Sequence, residues 1–378
     1  MSANHPYQIC CRCIMDTTDP DITFDYQGIC CYCKIYEARI RQEVHRGPEG
    51  ERRFREIVER MQQAGRGKPY DCLIGVSGGV DSTTAVWTLK KLGVRPLAVH
   101  LDNGWDSELA VDNIKKTLEK LEVDLYTYVL DWEEFRDLQL AFLKASVPNC
   151  EIPTDHAILA LNFKVAMDQG IKYIANGANV STEAFIPKAW AYEARDLRHL
   201  KAIHRRFGAV PLRSFPTLGM LGTLYAILVK EIRWITVLNY VDYQKSRAIK
   251  LLQEELGWRP YGGKHFESVY TRFYQGYILR EKFGFDKRRA HLSNLVLAGE
   301  MTRDQALAEM EQEDYIGTAL WSEDYAFVLK KFGLSQAQFD EIMALPVKTH
   351  YDFPSNRWAI EQMPRFTAFI KRIATGNR

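Results

Sequence analysis

The stretch that decides the fold runs Leu73, Ile74, Gly75, Val76, Ser77, Gly78, Gly79, Val80, Asp81, Ser82, Thr83, Thr84. An apolar strand here breaks into two glycines and a cluster of hydroxyls, then opens a helix. Glycines let the backbone approach an anion closely, successive N–H groups point at it, and the helix adds its positive end. The stretch is therefore a phosphate cradle, in which Ser77, Ser82 and Thr83 add hydroxyl donors. No Gly-Lys-Ser/Thr follows, which excludes the loop that serves transfer of a terminal phosphoryl group.

Outward from this loop, apolar strands alternate with amphipathic helices. Strands are expected at 71–76, 96–101, 124–130 and 172–175, with helices at 82–92 and 157–167. That order predicts an α/β domain over 70–190, built on a doubly wound parallel sheet. Ligands of such sheets bind beyond the carboxyl ends of the strands, here the loops at Ser77, Asp102, Leu130 and Asn176. A linker helix is expected within 47–69, and a mainly helical, more basic region over 191–378 without further alternation of strands. The apolar stretch 218–229 is too short to span a bilayer and reads as a core helix.

The 50 basic and 48 acidic residues leave a net charge of +2, so no global field draws the chain onto nucleic acid. No secretory pattern opens the sequence, so cytoplasmic residence is expected. Six of the eight cysteines fall between Cys10 and Cys33, a density that points to metal rather than disulfides. Cys10–Cys13 and Cys30–Cys33 each form a C-x-x-C, as in a zinc ribbon, so residues 1–46 read as a small module holding structural zinc. The middle cysteines, Cys11 and Cys31, leave the ligand choice open around a preferred set of Cys10, Cys13, Cys30 and Cys33, and an iron–sulfur cluster is the alternative. Cys72 reads as a strand filler. Cys150 reads as an inert loop thiol, with a nucleophile as the alternative.

The run Ser77 to Ser82 resembles the signature of the PP-loop, or N-type ATP pyrophosphatase, superfamily, whose members adenylylate a carbonyl oxygen and release pyrophosphate. The resemblance implies that Ser77, Gly78, Gly79, Asp81, Ser82 and Thr83 hold the pyrophosphate part of ATP. Asp81 would help to place magnesium, Asp102 would stand near the nucleoside, and Asn176 and Gly177 would form a further loop of the site. Asp155 and His156 are acid–base candidates at a helix start, although a plain cap and a surface imidazole read equally well there.

Four further segments resemble the N-acetyl sugar amidotransferase family of bacterial surface-polysaccharide biosynthesis. They are the run from Tyr7 to Asp25, Glu151 to Ile158, Tyr261 to Ser268 and Gly284 to Ser293. The resemblance implies conversion of an acetamido group on a nucleotide-activated sugar, with a UDP-linked diacetamido uronic acid preferred, into an acetamidino group. ATP activates the amide oxygen and ammonia displaces AMP. Lys264, with Asp81, is a catalytic candidate, and Lys287, Arg288 and Arg289 are candidates for binding phosphate or substrate, while a solvated helix face is the bland reading of the last three. Ammonia would come from a glutaminase subunit paired with a cyclase-like barrel. A tRNA thiolation enzyme of the same superfamily, in which Cys150 would matter, and a noncatalytic nucleotide-binding scaffold are the rival readings.

Overall fold

The computed structural model describes residues 6–261, 263, 266–312 and 315–374, with side chains to 366. Lys264, named above as a catalytic candidate, and His265 lie outside the described residues. Five strands form one sheet: β1 Cys72–Gly75, β2 Pro96–Asp102, β3 Leu125–Val129, β4 Tyr173–Asn176 and β5 Arg233–Thr236. All pairings are parallel, in the order β3-β2-β1-β4-β5. The chain thus steps outward from β1 to β3, then returns to the other side of β1. The switch point lies between β1 and β4, and the glycine loop leaves the carboxyl end of β1 beside it.

Strand periodicity explains why both faces of the sheet are covered. Leu73, Leu97 and Val99 enter one core, whereas Cys72, Ile74 and Ala98 enter the core on the opposite face. Truncating a residue such as the fully buried Ile74 to alanine would cost about 2–5 kcal/mol.

The fifth strand corrects the expectation that no strand follows about residue 190. Arg233-Trp-Ile-Thr is only four residues long, and its apolar partners come from β4 rather than from its own alternation. Residues 218–229 correct a second reading. The helix there, Met220–Leu228, buries only Thr223 and Ala226, and Leu221 is 77% exposed, so it is a surface helix and not a core one.

Helices in chain order are α1 Cys31–Glu43, α2 Gly47–Ala64, α3 Val80–Lys91, α4 Glu108–Leu121, α5 Trp132–Ala145, α6 Ile152–Asp168, α7 Val180–Glu183, α8 Leu197–Phe207, α9 Met220–Leu228 and α10 Lys245–Leu256. The carboxyl-terminal third adds α11 Val269–Phe273, α12 Leu279–Phe283, α13 Arg288–Ala298, α14 Arg303–Glu311, α15 Ala319–Phe332, α16 Gln336–Ala344 and α17 Arg357–Ala374. α6 begins five residues before its expected start because Pro153 suits a first helical turn. Asp155 and His156 therefore lie inside that turn, about 100° apart around the helix. Between α11 and α12 the helix widens into a π turn, Tyr274–Ile278. None of the described helices is long and apolar enough to cross a membrane.

Candidate active site

The phosphate loop is shaped by two close approaches. Gly78 has φ +77°, and a Cβ there would lie 2.8 Å from both the Ala110 carbonyl and the Tyr261 hydroxyl. Gly177 presses against the start of α3, where a Cβ would meet the Ser82 nitrogen at 2.5 Å. The loop after β4 thus sits on the phosphate loop, as the switch-point geometry requires. Ser77 and Ser82 place their hydroxyls 3.3 Å apart, and Thr83 is buried with its N–H donating to the Gly79 carbonyl at 3.1 Å. Asn176 caps its own turn through the Ala178 N–H at 3.1 Å. One carboxylate oxygen of Asp81 accepts a hydrogen bond from the buried Tyr243 hydroxyl.

Three residues outside the loop fix its shape, and sequence reasoning missed all of them. The Gly78 carbonyl accepts from the Trp258 indole at 2.8 Å and from the Tyr261 hydroxyl at 2.7 Å. Glu267 brings a carboxylate beside Gly79, about as far from a Cβ built there (3.8 Å) as ordinary van der Waals contact allows. Its backbone is seated by the Ser107 N–H, which donates to the Glu267 carbonyl at 2.8 Å. Tyr261 and Glu267 belong to a segment quoted for its resemblance, but no residue spacing marked them as neighbours of a loop some 180 positions away.

Beyond β2, Asp102 accepts the Gly104 N–H at 2.8 Å and borders a cavity of about 660 Å³ running between α4 and the edge of the sheet. Asp106, Val111, Ile114 and Leu118 also line it. Its apolar walls end at an acidic rim, and Ile114 reaches Gly78, so the cavity opens beside the phosphate loop. His100 forms part of its floor. Burial pushes its ring down, but the Asp106 carboxylate at 3.1 Å more than offsets this, so the pKa is raised. Lys331 of α15 closes the turn by donating to the Gly104 carbonyl, with its ammonium 4.8 Å from the Trp105 ring and 4.4 Å from that of Trp132.

The first turn of α6 faces the same edge, since the Asn103 amide donates to Thr154 Oγ1 at 3.3 Å. Asp155 is exposed. Protein packed around it pushes its carboxyl up to about 7, with Glu151 adding to the shift and Lys287 opposing it. Lys287 lies 3.5 Å from Glu151, whose carboxylate also accepts from Gln275 at 3.0 Å. Gln275 stands in the π turn, a local distortion often found where a helix must re-aim a side chain.

Four candidates lie elsewhere. His156 is fully buried. Its Nδ1 donates to the Ala194 carbonyl at 2.7 Å and its Nε2 accepts from the Leu218 N–H at 3.2 Å, which fixes a neutral ring whose pKa burial lowers. It ties chain segments together and has no nitrogen left for a substrate. Arg288 grips Asp286 at 2.7 Å. Arg289 is paired with the buried Asp16 at 3.0 Å and donates to the Ile14 carbonyl at 2.8 Å, so it serves the cysteine module and not the phosphate loop. Cys150 is buried, its thiol donates to the Val147 carbonyl at 3.3 Å, and burial pushes its pKa up, as an inert thiol requires.

In the module, the sulfurs of Cys10, Cys13, Cys30 and Cys33 all lie within 4.8 Å of one another and are fully buried. Neighbouring pairs stand 3.6–3.7 Å apart. A tetrahedron with metal–sulfur bonds of about 2.3 Å has edges of roughly 3.8 Å, so four thiolates around one zinc ion fit this spacing. Backbone N–H groups of Arg12, Met15 and Cys30 donate to these sulfurs at 3.3–3.4 Å. Cys11 is exposed and Cys31 half-buried, and neither belongs to the cluster. The module is clasped by the other end of the chain: Arg303 donates to the Cys10 and Cys13 carbonyls, and Ser293 accepts the Ile14 N–H.

Comparison with known proteins adds the following. Residues 267–365 match the family described as LPS biosynthesis protein WbpG-like, C-terminal domain. An uncharacterized protein of Methanocaldococcus jannaschii is 22% identical over 274 residues, covering 70% of this chain and 81% of that protein. The tRNA(Ile)-lysidine synthase of Chlamydia pneumoniae is 32% identical over 138 residues, 35% of this chain and 40% of that enzyme. Among solved structures, NMN synthetase from Francisella tularensis aligns at 13% identity and a TM-score of 0.31, covering 66% of this chain and 93% of that one. A predicted subunit of tRNA methyltransferase from M. jannaschii aligns at 18% identity and 0.29, covering 48% and 74%. Residues 267–365 thus carry a WbpG-like C-terminal domain, in keeping with the N-acetyl sugar amidotransferase family that the sequence resembles, and this domain follows a parallel sheet with a glycine loop at its switch point.

Proposed function

We propose that the protein is an ATP-dependent amidotransferase of LPS or surface-polysaccharide biosynthesis, converting an acetamido group of a nucleotide-activated sugar into an acetamidino group. The observation that carries this reading is that the WbpG-like domain closes onto the nucleotide edge: Glu267 at the phosphate loop, Lys287 at Glu151 beside Asp155, and Lys331 at the Gly104 turn. These contacts support a reading in which the two parts build one site.

In this reading the triphosphate lies on the amides of residues 77–83 with the nucleoside in the cavity beside Asp102. Magnesium, held by Glu267 with Asp81 or Asp102, would offset phosphate charge. The acetamido oxygen attacks the α-phosphorus, the bond to the bridging oxygen breaks, pyrophosphate leaves into the amide cradle, and the amide nitrogen gives up its proton to solvent, leaving an imidate. Ammonia then attacks the imidate carbon. The Asp155 carboxylate accepts a proton from the incoming nitrogen, and the carbon–oxygen bond breaks with its electron pair leaving on AMP. A carboxyl with a pKa of about 7 is suited to that exchange. Zinc on the four cysteines would be structural, since a closed four-thiolate site offers no open position. Ammonia would arrive from a partner glutaminase.

The thiolation alternative loses its motivating residue, because Cys150 is enclosed and its thiolate disfavoured. The test is incubation with ATP, magnesium, ammonium and UDP-linked N-acetyl sugars, following nucleotides and sugar masses together. AMP and pyrophosphate forming only with a sugar that exchanges oxygen for NH supports the reading. AMP formation with tRNA and a sulfur donor, and with none of the sugars, overturns it.

A further inference from the structure

A second cavity, of about 460 Å³, lies away from the phosphate loop, between α8, the start of α9 and the segment leading into α17. One wall is cationic: Arg195, Arg198, Lys201 and Arg205 all line it. Three of them recur on one stripe of α8 at the three- and four-residue spacing of a helix face. Arg195 is held by Glu193 at 2.6 Å, whereas Lys201 and Arg205 have no ion-pair partner among the described residues. Among the described residues no carboxylate lines the cavity. The opposite wall is apolar, formed by Met220 and Ile360 among others. Gly219 begins α9 without a side-chain cap, so the first amides of that helix add positive potential to the same side.

The cavity is also anchored to the candidate active site. Both backbone groups that His156 holds, the Ala194 carbonyl and the Leu218 N–H, belong to residues directly preceding lining residues, Arg195 and Gly219. Lys201 lies near enough to lower the His156 pKa. Asp155 is the next residue along α6. One imidazole and one peptide unit connect the two places along the chain.

From this we infer that the cavity binds the nucleoside diphosphate part of the sugar nucleotide, with the diphosphate on Arg198, Lys201 and Arg205 and the base against Met220 and Ile360. The inference rests on the amidotransferase reading for the identity of the ligand, and it deepens that reading by separating the acceptor nucleotide from ATP. A diphosphate joins the nucleoside to C1 of the sugar, so an acetamido group near C1 would stand within reach of Asp155.

The experiment is calorimetric titration of the full chain with UDP, with inorganic pyrophosphate and with ATP–magnesium, for the wild type and for Arg198→Ala, Lys201→Ala and Arg205→Ala singly and combined. These side chains are solvent-facing, and circular dichroism checks that the variants fold. Binding of UDP that weakens at least tenfold in the triple variant, with ATP affinity unchanged within twofold, is the expected result. Three outcomes overturn the inference: no UDP binding at millimolar concentration, UDP affinity unaltered by the substitutions, or pyrophosphate binding as tightly as UDP. If the variants turn over a sugar nucleotide with unchanged KM, the cavity assignment fails while the amidotransferase reading stands. If UDP binding depends on the three cations but no sugar is amidated, the cavity stands and the reaction assignment fails.

Discussion

The Tyr261 hydroxyl donates to the Gly78 carbonyl at 2.7 Å, across 183 positions of sequence. With the Trp258 indole on the same oxygen, it fixes the peptide plane between the two loop glycines, and the amide on the far side of that plane, that of Gly79, donates to Ser77 Oγ at 3.4 Å. Tyr261→Phe keeps the ring and removes one of two hydrogen bonds, a loss of about 1 kcal/mol. The expected outcome is a KM for ATP about 3–10-fold higher with little change in melting temperature, measured by pyrophosphate release.

Asp155 makes the pH profile informative. As a base it acts in its ionised form, so kcat should rise with pH through about 7. Asp155→Asn should remove that limb and lower kcat by about 10²–10⁴-fold. Lys287 opposes the upward shift, so Lys287→Met should move the limb to higher pH while leaving it intact.

Metal content should sort the six clustered cysteines. Cys13→Ser or Cys30→Ser should lose the bound metal, whereas Cys11→Ser and Cys31→Ser should retain it, as measured by elemental analysis of purified protein. Iron in place of zinc in that analysis would restore the cluster alternative.

Arg289→Ala should destabilise the fold by about 3–5 kcal/mol, because it removes the ion-pair partner of the fully buried Asp16 carboxylate and leaves that charge with its hydrogen bonds from Tyr7 and Thr18 alone. Chemical denaturation measures this. A phosphate-binding role would instead weaken ATP affinity at unchanged stability.

The buried pair His199 and His350, with ring nitrogens 3.2 Å apart, should make the protein acid-sensitive. Burial lowers the His199 pKa to about 4. Below the ordinary value of 6.5 the unfolded chain takes up a proton that the folded ring refuses. Stability is therefore full above about pH 7 and falls as pH drops, with the loss levelling off near pH 4 at roughly 3 kcal/mol for this one group. Melting temperatures across pH 7.5 to 5 test it, and His199→Phe should flatten the decline.

Four of the five strands and the phosphate loop were legible in the sequence because each has its own apolar run and a glycine break. β5 was not, since four residues paired only to β4 carry too little pattern. The cysteine quartet was the preferred set from its C-x-x-C spacing, while burial, which spacing does not carry, separates it from Cys11 and Cys31. The Lys287, Arg288, Arg289 run could not be resolved from sequence, because successive helical residues point about 100° apart. One meets Glu151 at the cleft, one its own Asp286, and one Asp16 in the module. Asp155 and His156 divide in the same way between cleft and core.

The clasp between the module and α13–α14 also sets an order of events during synthesis. The Ile14 amide finds its acceptor in Ser293, 279 residues later, and the Cys10 carbonyl its donor in Arg303, 293 residues later. A ribosome releases these partners long after the thiols emerge. Metal bound early would keep the nascent thiols from oxidation while the rest of the chain is made, and the finished contacts would then lock in a module that its own few residues hold only loosely.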